Sequence, residues 1–430
     1  MPRHAPSLAV MLLAVVAAAS TWFYVNHVMR AEQIADAIAH QRPRGNLSDL
    51  YPRWLGTREL LVHRRNPYGP EITREIQQGY YGRPLDPKRA DDPKDQQGFA
   101  YPAYVVFLLA PSVGYPFETV QTFFRWVLIA LAGASVLLWL RVVRWNAPVQ
   151  TVLTFVILAV GWLPMVQGIK LQQLSLLVAA LIAASGACLV SGWFLCAGGL
   201  LALATIKPQL AWPVVLWLFV WAASDWRARR RFLIGFGIVM LLLLGGAEFL
   251  LPGWLRMFLS AIGEYHRYTQ NQSVLVWMFG TVFGRILELG SILASAACLV
   301  ALRKEPSPSP EFGRAFALVM ALTVVIVPMF APYNQVLLIP AILVLVRSGR
   351  SSLPALRIAG IVGAVLVIWP WIAAFGLSVA SIWLTPQWRS LVWPMPFYSN
   401  FLLPIFVFGL ILLNAWLGDA DGLRDSALAE

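Results

Sequence analysis

In a 430-residue chain with only 13% charged residues, chemistry has to be sought in the polar stretches between hydrophobic runs. The first such stretch, Asn46 to Gly69, reads N-L-S-D-L-Y-P-R-W-L-G-T-R-E-L-L-V-H-R-R-N-P-Y-G and follows the first hydrophobic segment. Its one early carboxylate, Asp49, precedes Leu50, Trp54, Leu55, Leu60 and Leu61, a spacing that predicts a short amphipathic helix resting on a membrane surface. A carboxylate at the head of such a helix can take a proton from an alcohol, the task of a general base. A second reading is open, because Ser48 and Asp49 are both good N-cap residues and Asp49 could do no more than cap the helix.

Further polar groups fall at the ends of apolar runs: Gln167 to Gln173, Lys207-Pro208-Gln209, Glu264 to Ser273, and Pro332-Tyr333-Asn334-Gln335. Lys207 suits a phosphate contact, or equally an interfacial anchor whose stem lies along apolar surface. Gln173, Asn271, Gln272 and Asn334 can bond hydroxyl or phosphate oxygens of a substrate, or satisfy backbone groups where helices break. His266 and Arg267 sit inside Tyr-His-Arg-Tyr, which reads as a substrate contact or as an aromatic and basic interface patch. Asp91, Asp92 and Asp95 form the one group of hard oxygen ligands, in a patch that also reads as a solvated turn. No metal and no cofactor is expected, and activity should survive a chelator.

The elements that would position these groups are set by composition. With 59% hydrophobic residues and a mean hydropathy of +0.67, the chain is an integral membrane protein. Lipid cannot satisfy open backbone groups, so repeated long apolar runs mean an all-α helical bundle. Crossings are expected near 7–29, 117–140, 148–166, 173–190, 192–206, 208–224, 232–251, 285–302, 312–331, 335–347, 355–377 and 397–417, which makes about 12. The apolar segment Tyr101 to Val113 is taken as a helix lying in or dipping into the outer interface, because counting it as a crossing would invert everything downstream.

On that reading Arg3, Arg141, Arg144, Arg227, Arg229, Arg230, Arg231, Arg303, Lys304, Arg314, Arg347, Arg350, Arg357 and Arg424 share one face. The opposite short loops carry only Lys170, Lys207, Arg256, Arg267, Arg285 and Arg389. The excess of basic residues puts both termini in the cytoplasm, with a plasma or inner membrane location, a first loop (31–116) outside that carries interfacial helices, and a cytoplasmic tail at 418–430. The net charge of +12 therefore reports topology, and no nucleic-acid partner is expected. The three cysteines, Cys188, Cys196 and Cys298, lie in apolar runs and read as packing residues.

The polar stretch resembles the first-loop pattern of the GT-C superfamily, specifically the glycosyltransferase family 87 group that includes bacterial polyprenol-phosphate-mannose-dependent mannosyltransferases. The resemblance is carried by Asp49, Tyr51, Trp54, Leu60-Leu61 and Asn66-Pro67-Tyr68, then in order by Phe99-Ala100-Tyr101-Pro102-Ala103, Gln173-Leu174-Ser175-Leu176-Leu177, Ile206-Lys207-Pro208-Gln209 and Asn271-Gln272-Ser273. It spans roughly residues 7 to 350. Two positions depart from the pattern: Ala103 replaces a second proline, and Gln172 stands where glycine is usual. The late loop has Asn334 in a segment where many members carry a histidine.

The resemblance implies a GT-C type bundle with an extracytoplasmic site and an inverting transfer of a hexose, mannose above all, by Asp49 as general base. The implied partners are a polyprenyl-phosphate sugar donor, a glycolipid or glycan acceptor, and the bilayer. A transporter or flippase of lipid-linked glycans is the alternative; it predicts internal symmetry and polar residues at mid-bilayer depth, which the sequence lacks. A non-enzymatic scaffold is a third reading, and it would tolerate loss of Asp49.

Overall fold

Proline and serine set the helix boundaries where the apolar runs end. Pro70, Pro208 and Pro310 open helices at their first turn, where a missing N–H costs nothing, and the Ser309 Oγ accepts from the Phe312 N–H at 3.0 Å. The computed structural model describes residues 6–42, 48–86, 88–269, 271–348 and 354–427. Asn46, Arg3 and Arg350 lie outside the described residues, among which all regular structure is helical.

In chain order the main helices are α1 (Leu8–Ala39), α2 (Tyr51–His63), α3 (Pro70–Tyr81), α4 (Phe117–Val142), α5 (Val149–Val160), α6 (Leu163–Lys170), α7 (Leu174–Val190) and α8 (Phe194–Ala204). They continue with α9 (Pro208–Ser224), α10 (Trp226–Leu250), α11 (Trp254–Thr269), α12 (Thr281–Ala301), α13 (Pro310–Ile326), α14 (Pro332–Ser348), α15 (Pro354–Ala380) and α16 (Leu403–Ala427).

Six stretches are long and apolar enough to cross a membrane: Leu8–Ala39, Phe117–Val142, Trp226–Leu250, Thr281–Lys304, Arg357–Ala380 and Gln387–Trp416. A seventh forms if α5 and α6, bent by 54°, act as one span. The chain is thus a multi-pass helical membrane protein. The helices α7, α8, α9 and α14 are apolar but only 10–17 residues long, so length supports six or seven of the twelve expected crossings. The Tyr101 to Val113 segment contains a five-residue helix, Val105–Leu109, and a 3₁₀ turn, too little to span.

The core lies between α4, α9 and α13, where Trp139 meets Phe316 edge-on at 5.3 Å and Trp221 meets Phe312 at 5.2 Å. Of the three cysteines Cys298 is buried, Cys188 is half-buried, and Cys196 is exposed with its Sγ 3.7 Å from that of Cys188. A short turn between α7 and α8 brings these two thiols together at the outside of the hairpin.

Arg229, 5% exposed, joins three elements at the far end of the bundle. Its guanidinium donates to the carbonyls of Trp221, Arg303, Lys304 and Glu305 at 2.7–3.0 Å and stacks 4.1 Å over Trp221. These carbonyls belong to helix C-termini, whose orphan acceptors a cation satisfies. Arg229→Met should lower the thermal unfolding midpoint in detergent, at a cost of about 2–4 kcal/mol, and Arg229→Lys should recover only part because it lacks the planar fork. An unchanged midpoint in Arg229→Met would refute this account.

The first loop folds back on itself. Arg65 ties α2 to α3 through Glu59 at 2.9 Å and Glu75 at 2.6 Å, and α3 stops where Gly82 adopts φ +87°, a left-handed conformation open to glycine. A helix is present where an amphipathic one was expected, but it begins at Tyr51, two residues after Asp49, and it has no single apolar face. It buries Trp54, Gly56, Thr57, Glu59 and Leu60, residues on more than one face, so it is enclosed by protein and not laid on a surface. Tyr68 and Phe99 pack edge-on at 5.2 Å, and the Tyr68 hydroxyl donates to the Tyr101 carbonyl at 2.6 Å. The N-P-Y and F-A-Y-P segments therefore meet beside α2.

Candidate functional site

Asp49 is fixed by its backbone first. Its N–H and the Ser48 hydroxyl both donate to the Leu171 carbonyl, at 3.0 and 3.2 Å, which pins the start of the first loop to the α6–α7 junction. The helix start is served by Ser48, whose Oγ accepts from the Leu50 N–H at 3.2 Å. The Asp49 carboxylate makes no such cap, so the capping alternative does not describe it.

The α6–α7 junction is a Schellman closure: the N–H of Gln172 bonds to the Ile169 carbonyl at 3.1 Å and that of Gln173 to the Gly168 carbonyl at 2.8 Å. Such a closure needs a left-handed residue, and Gln172 takes it with φ +49°, which explains why glycine suits this position. Gln172 offsets the strain by donating its amide to the Ile169 and Lys170 carbonyls at 2.6 and 2.9 Å. The turn delivers Gln173 to Asp49.

Both oxygens of the Asp49 carboxylate are held. The Tyr80 hydroxyl donates to Oδ1 at 3.0 Å, and the Gln173 Nε2 donates to Oδ2. Among the described residues Asp49 has no ion pair within 4 Å, and the residue is only partly buried, so each oxygen keeps a lone pair for a visiting hydroxyl. Burial, followed by the Asp49 charge, holds the Tyr80 phenol well above its ordinary value, which keeps it a donor.

Behind Gln173 the chain continues. Lys207, 3% exposed, donates to the Gln173 Oε1 at 3.0 Å and the Ser175 Oγ at 2.6 Å, and its ammonium lies 5.2 Å from the Tyr333 ring centre. Ser175 donates to the Asn334 Oδ1 at 2.9 Å, and the Asn334 amide donates to the Met329 carbonyl at 3.3 Å. Tyr104 fastens the α8–α9 junction to the first loop by donating to Thr205 at 3.0 Å. Asp49, Gln173, Lys207 and Asn334 thus form one hydrogen-bonded line drawn from four separate polar junctions.

The remaining expected residues stand apart from that line. Asn271 is half-buried near Tyr265, while Gln272, His266 and Arg267 are exposed. Arg267 is 77% exposed and 3.9 Å from Glu264. On α11 it is Tyr265 and Tyr268, three residues apart and packed on one another at 5.5 Å, that are half-buried and within electrostatic reach of Arg53 and Asp95. Of the acidic patch, Asp92 is held by Arg83, Asp91 is exposed, and the Asp95 carboxylate accepts from the Gln97 N–H at 2.9 Å. Among the described residues no three His, Cys, Asp or Glu side chains converge as a metal site. Burial pushes the Asp95 carboxyl above its ordinary value; Arg53 opposes this and Asp49 adds to it.

Three contributors, Arg53, Ser175 and Tyr80, were not singled out from the sequence as site residues. Arg53 sits one turn after Asp49, donates to the Asp49 carbonyl at 2.8 Å and stacks 4.5 Å from the Tyr101 ring centre. Its i+4 spacing from Asp49 was the available signal. Ser175 lies two residues after Gln173 at the opening of α7, a weaker hint. Tyr80 carries no local signal, since it reaches the site from a different part of the folded loop, and Asp95, read from the sequence in an acidic patch, lies near Arg53.

A carboxylate held by two neutral donors, open on its remaining lone pairs and with cations nearby, is suited to proton abstraction from an alcohol beside an anionic leaving group. Comparison with known proteins adds one finding: the family model of glycosyltransferase family 87 matches residues 99–332, more than half of the chain. No curated protein matches, and no solved structure matches. Gln173, Lys207 and Asn271 fall inside the matched range, and Asp49 precedes it.

Proposed function

The chain belongs to glycosyltransferase family 87, and from that premise we propose that it transfers a hexose, mannose for preference, from a polyprenyl-phosphate donor to a glycolipid or glycan acceptor on the extracytoplasmic side of the cell membrane. Asp49 is the general base of an inverting reaction. It takes the proton of the acceptor hydroxyl as that oxygen bonds to the anomeric carbon; the carbon–oxygen bond to phosphate breaks, and polyprenyl phosphate leaves with the electron pair. A β-linked donor then yields an α-linked product.

The observation that carries this reading is the state of the Asp49 carboxylate: both oxygens positioned, neither paired to a cation, and the side chain not enclosed. A lipid-linked donor follows from the proposed topology, in which twelve crossings and cytoplasmic termini put the first loop outside, away from nucleotide sugars. The outer-face positions of Gln173, Lys207 and Asn334 in that topology, and their meeting with Asp49, support it.

The test is transfer by the purified full chain in lipid nanodiscs, with labelled polyprenyl-phosphate mannose and a panel of glycolipid acceptors. Label should pass to an acceptor from the lipid-linked donor and not from a nucleotide sugar. Transfer from the nucleotide sugar alone would overturn the donor assignment.

A further inference from the structure

Of the buried or half-buried cations near Asp49, Lys170 donates to Gln33, and Lys207 and Arg53 differ in their surroundings. The Lys207 ammonium has three N–H groups. Two of them go to Gln173 and Ser175, and the ammonium lies 5.2 Å from the Tyr333 ring centre. At 3% exposure nothing of it is left for a substrate.

What Lys207 does contribute is the orientation of Gln173. An amide placed between an ammonium and a carboxylate has one stable setting, carbonyl to the cation and NH₂ to the anion. Turned over, it would set donor against donor and acceptor against acceptor. Gln173 has that one setting, with Oε1 toward Lys207 and Nε2 toward Asp49. The carboxylate is thereby linked to a buried positive charge without a direct ion pair that would occupy its oxygens.

Arg53 is the opposite case. Nη1 bonds to the Asp49 carbonyl, one face rests on Tyr101, and Nε, though shielded, has no hydrogen-bond partner. The side chain is only partly buried, and a shielded, unmatched N–H on a guanidinium calls for an acceptor. Asp95, the other carboxyl near it, accepts from the Gln97 N–H at 2.9 Å.

We propose that these cations divide the work: Lys207 is a positioning residue that locks the Gln173 amide against Asp49, and Arg53 is the group that meets the phosphate oxygens of the departing polyprenyl phosphate. This rests on the polyprenyl-phosphate reading above. It reverses the sequence expectation in which Lys207 touches the phosphate.

The experiment measures binding of polyprenyl phosphate alone, and turnover of labelled polyprenyl-phosphate mannose, by full-length protein in nanodiscs. Lys207→Met should lower kcat by roughly 10²-fold, the scale of a misplaced reacting group, while the Kd for polyprenyl phosphate stays within about twofold. Gln173→Leu, which leaves Lys207 in place, should reproduce that pattern, so the result does not depend on how Lys207→Met folds. Arg53→Gln should weaken polyprenyl phosphate binding by about 10-fold or more, with part restored in Arg53→Lys. Loss of binding in Lys207→Met, with binding intact in Arg53→Gln, would overturn the division.

If the wild-type chain binds no polyprenyl phosphate, the donor reading itself falls, and the Arg53 assignment with it. The Lys207 assignment is then decided without substrate, by thermal unfolding of Lys207→Met, Asp49→Asn and the double variant. Non-additive shifts support the link through Gln173, and additive shifts refute it.

Discussion

Asp49→Asn is expected to reduce turnover by about 10²-fold or more while the donor still binds, the usual scale for loss of a general base. The substitution keeps the shape of the side chain and removes its charge and basicity. It also forces a choice, because one carboxylate oxygen becomes an NH₂ facing either the Tyr80 hydroxyl or the Gln173 amide, both of which are donors. The Tyr80 hydroxyl can turn and accept, whereas Gln173 is locked by Lys207, so the new amide should point its NH₂ at Tyr80. That rearrangement costs little, and the variant should fold. Single-turnover measurements with labelled polyprenyl-phosphate mannose separate the chemical step from binding. Turnover near wild type would eliminate Asp49 as the base, and a loss confined to KM would make it a binding residue.

Gly198→Leu is expected to have the largest effect on stability, and the reason is backbone contact. A side-chain carbon at Gly198 on α8 would stand 2.0 Å from the Phe232 carbonyl oxygen and 2.6 Å from the Phe236 nitrogen of α10; one at Gly235 would stand 2.1 Å from the Leu195 carbonyl oxygen. No rotamer change relieves a clash with main chain, so the two helices would have to separate. Small residues at such a crossing are what let apolar helices associate in lipid, where burial gives no hydrophobic drive between them. Overpacking costs about 1–3 kcal/mol when side chains can yield, and the cost here should exceed that.

The measurement is the thermal midpoint and monodisperse fraction of the variant in detergent. Gly237→Ala serves as control, because nothing lies within 4 Å of a carbon added there, and it should be neutral or slightly stabilising. A wild-type midpoint in Gly198→Leu would show that α8 and α10 are not held by this contact. The consequence reaches the site as well. Helix α8 leads directly to Thr205 and Lys207, so displacing it should lower kcat along with stability.

Composition and the recurrence of apolar runs were enough to determine that this chain is a helical membrane protein, and proline and serine marked many of its helix starts. The candidate residues Asp49, Gln173, Lys207 and Asn334 were also legible, because a polar group at the end of an apolar run is costly unless it has a task. Only the tertiary structure decided how they combine. Gln173 meets Asp49 across 124 residues and Ser175 meets Asn334 across 159, and no local periodicity records such pairings. The choice of Tyr265 and Tyr268 over His266 and Arg267 came from the rotation of α11, since neighbouring residues on a helix face directions about 100° apart. In helices apolar on every side, the faces that touch protein and the faces that touch lipid are made of the same residues. The close crossing at Gly198 and Gly235 and the inward aim of Lys207 were therefore set by packing, and a sequence read along one dimension carries no trace of them.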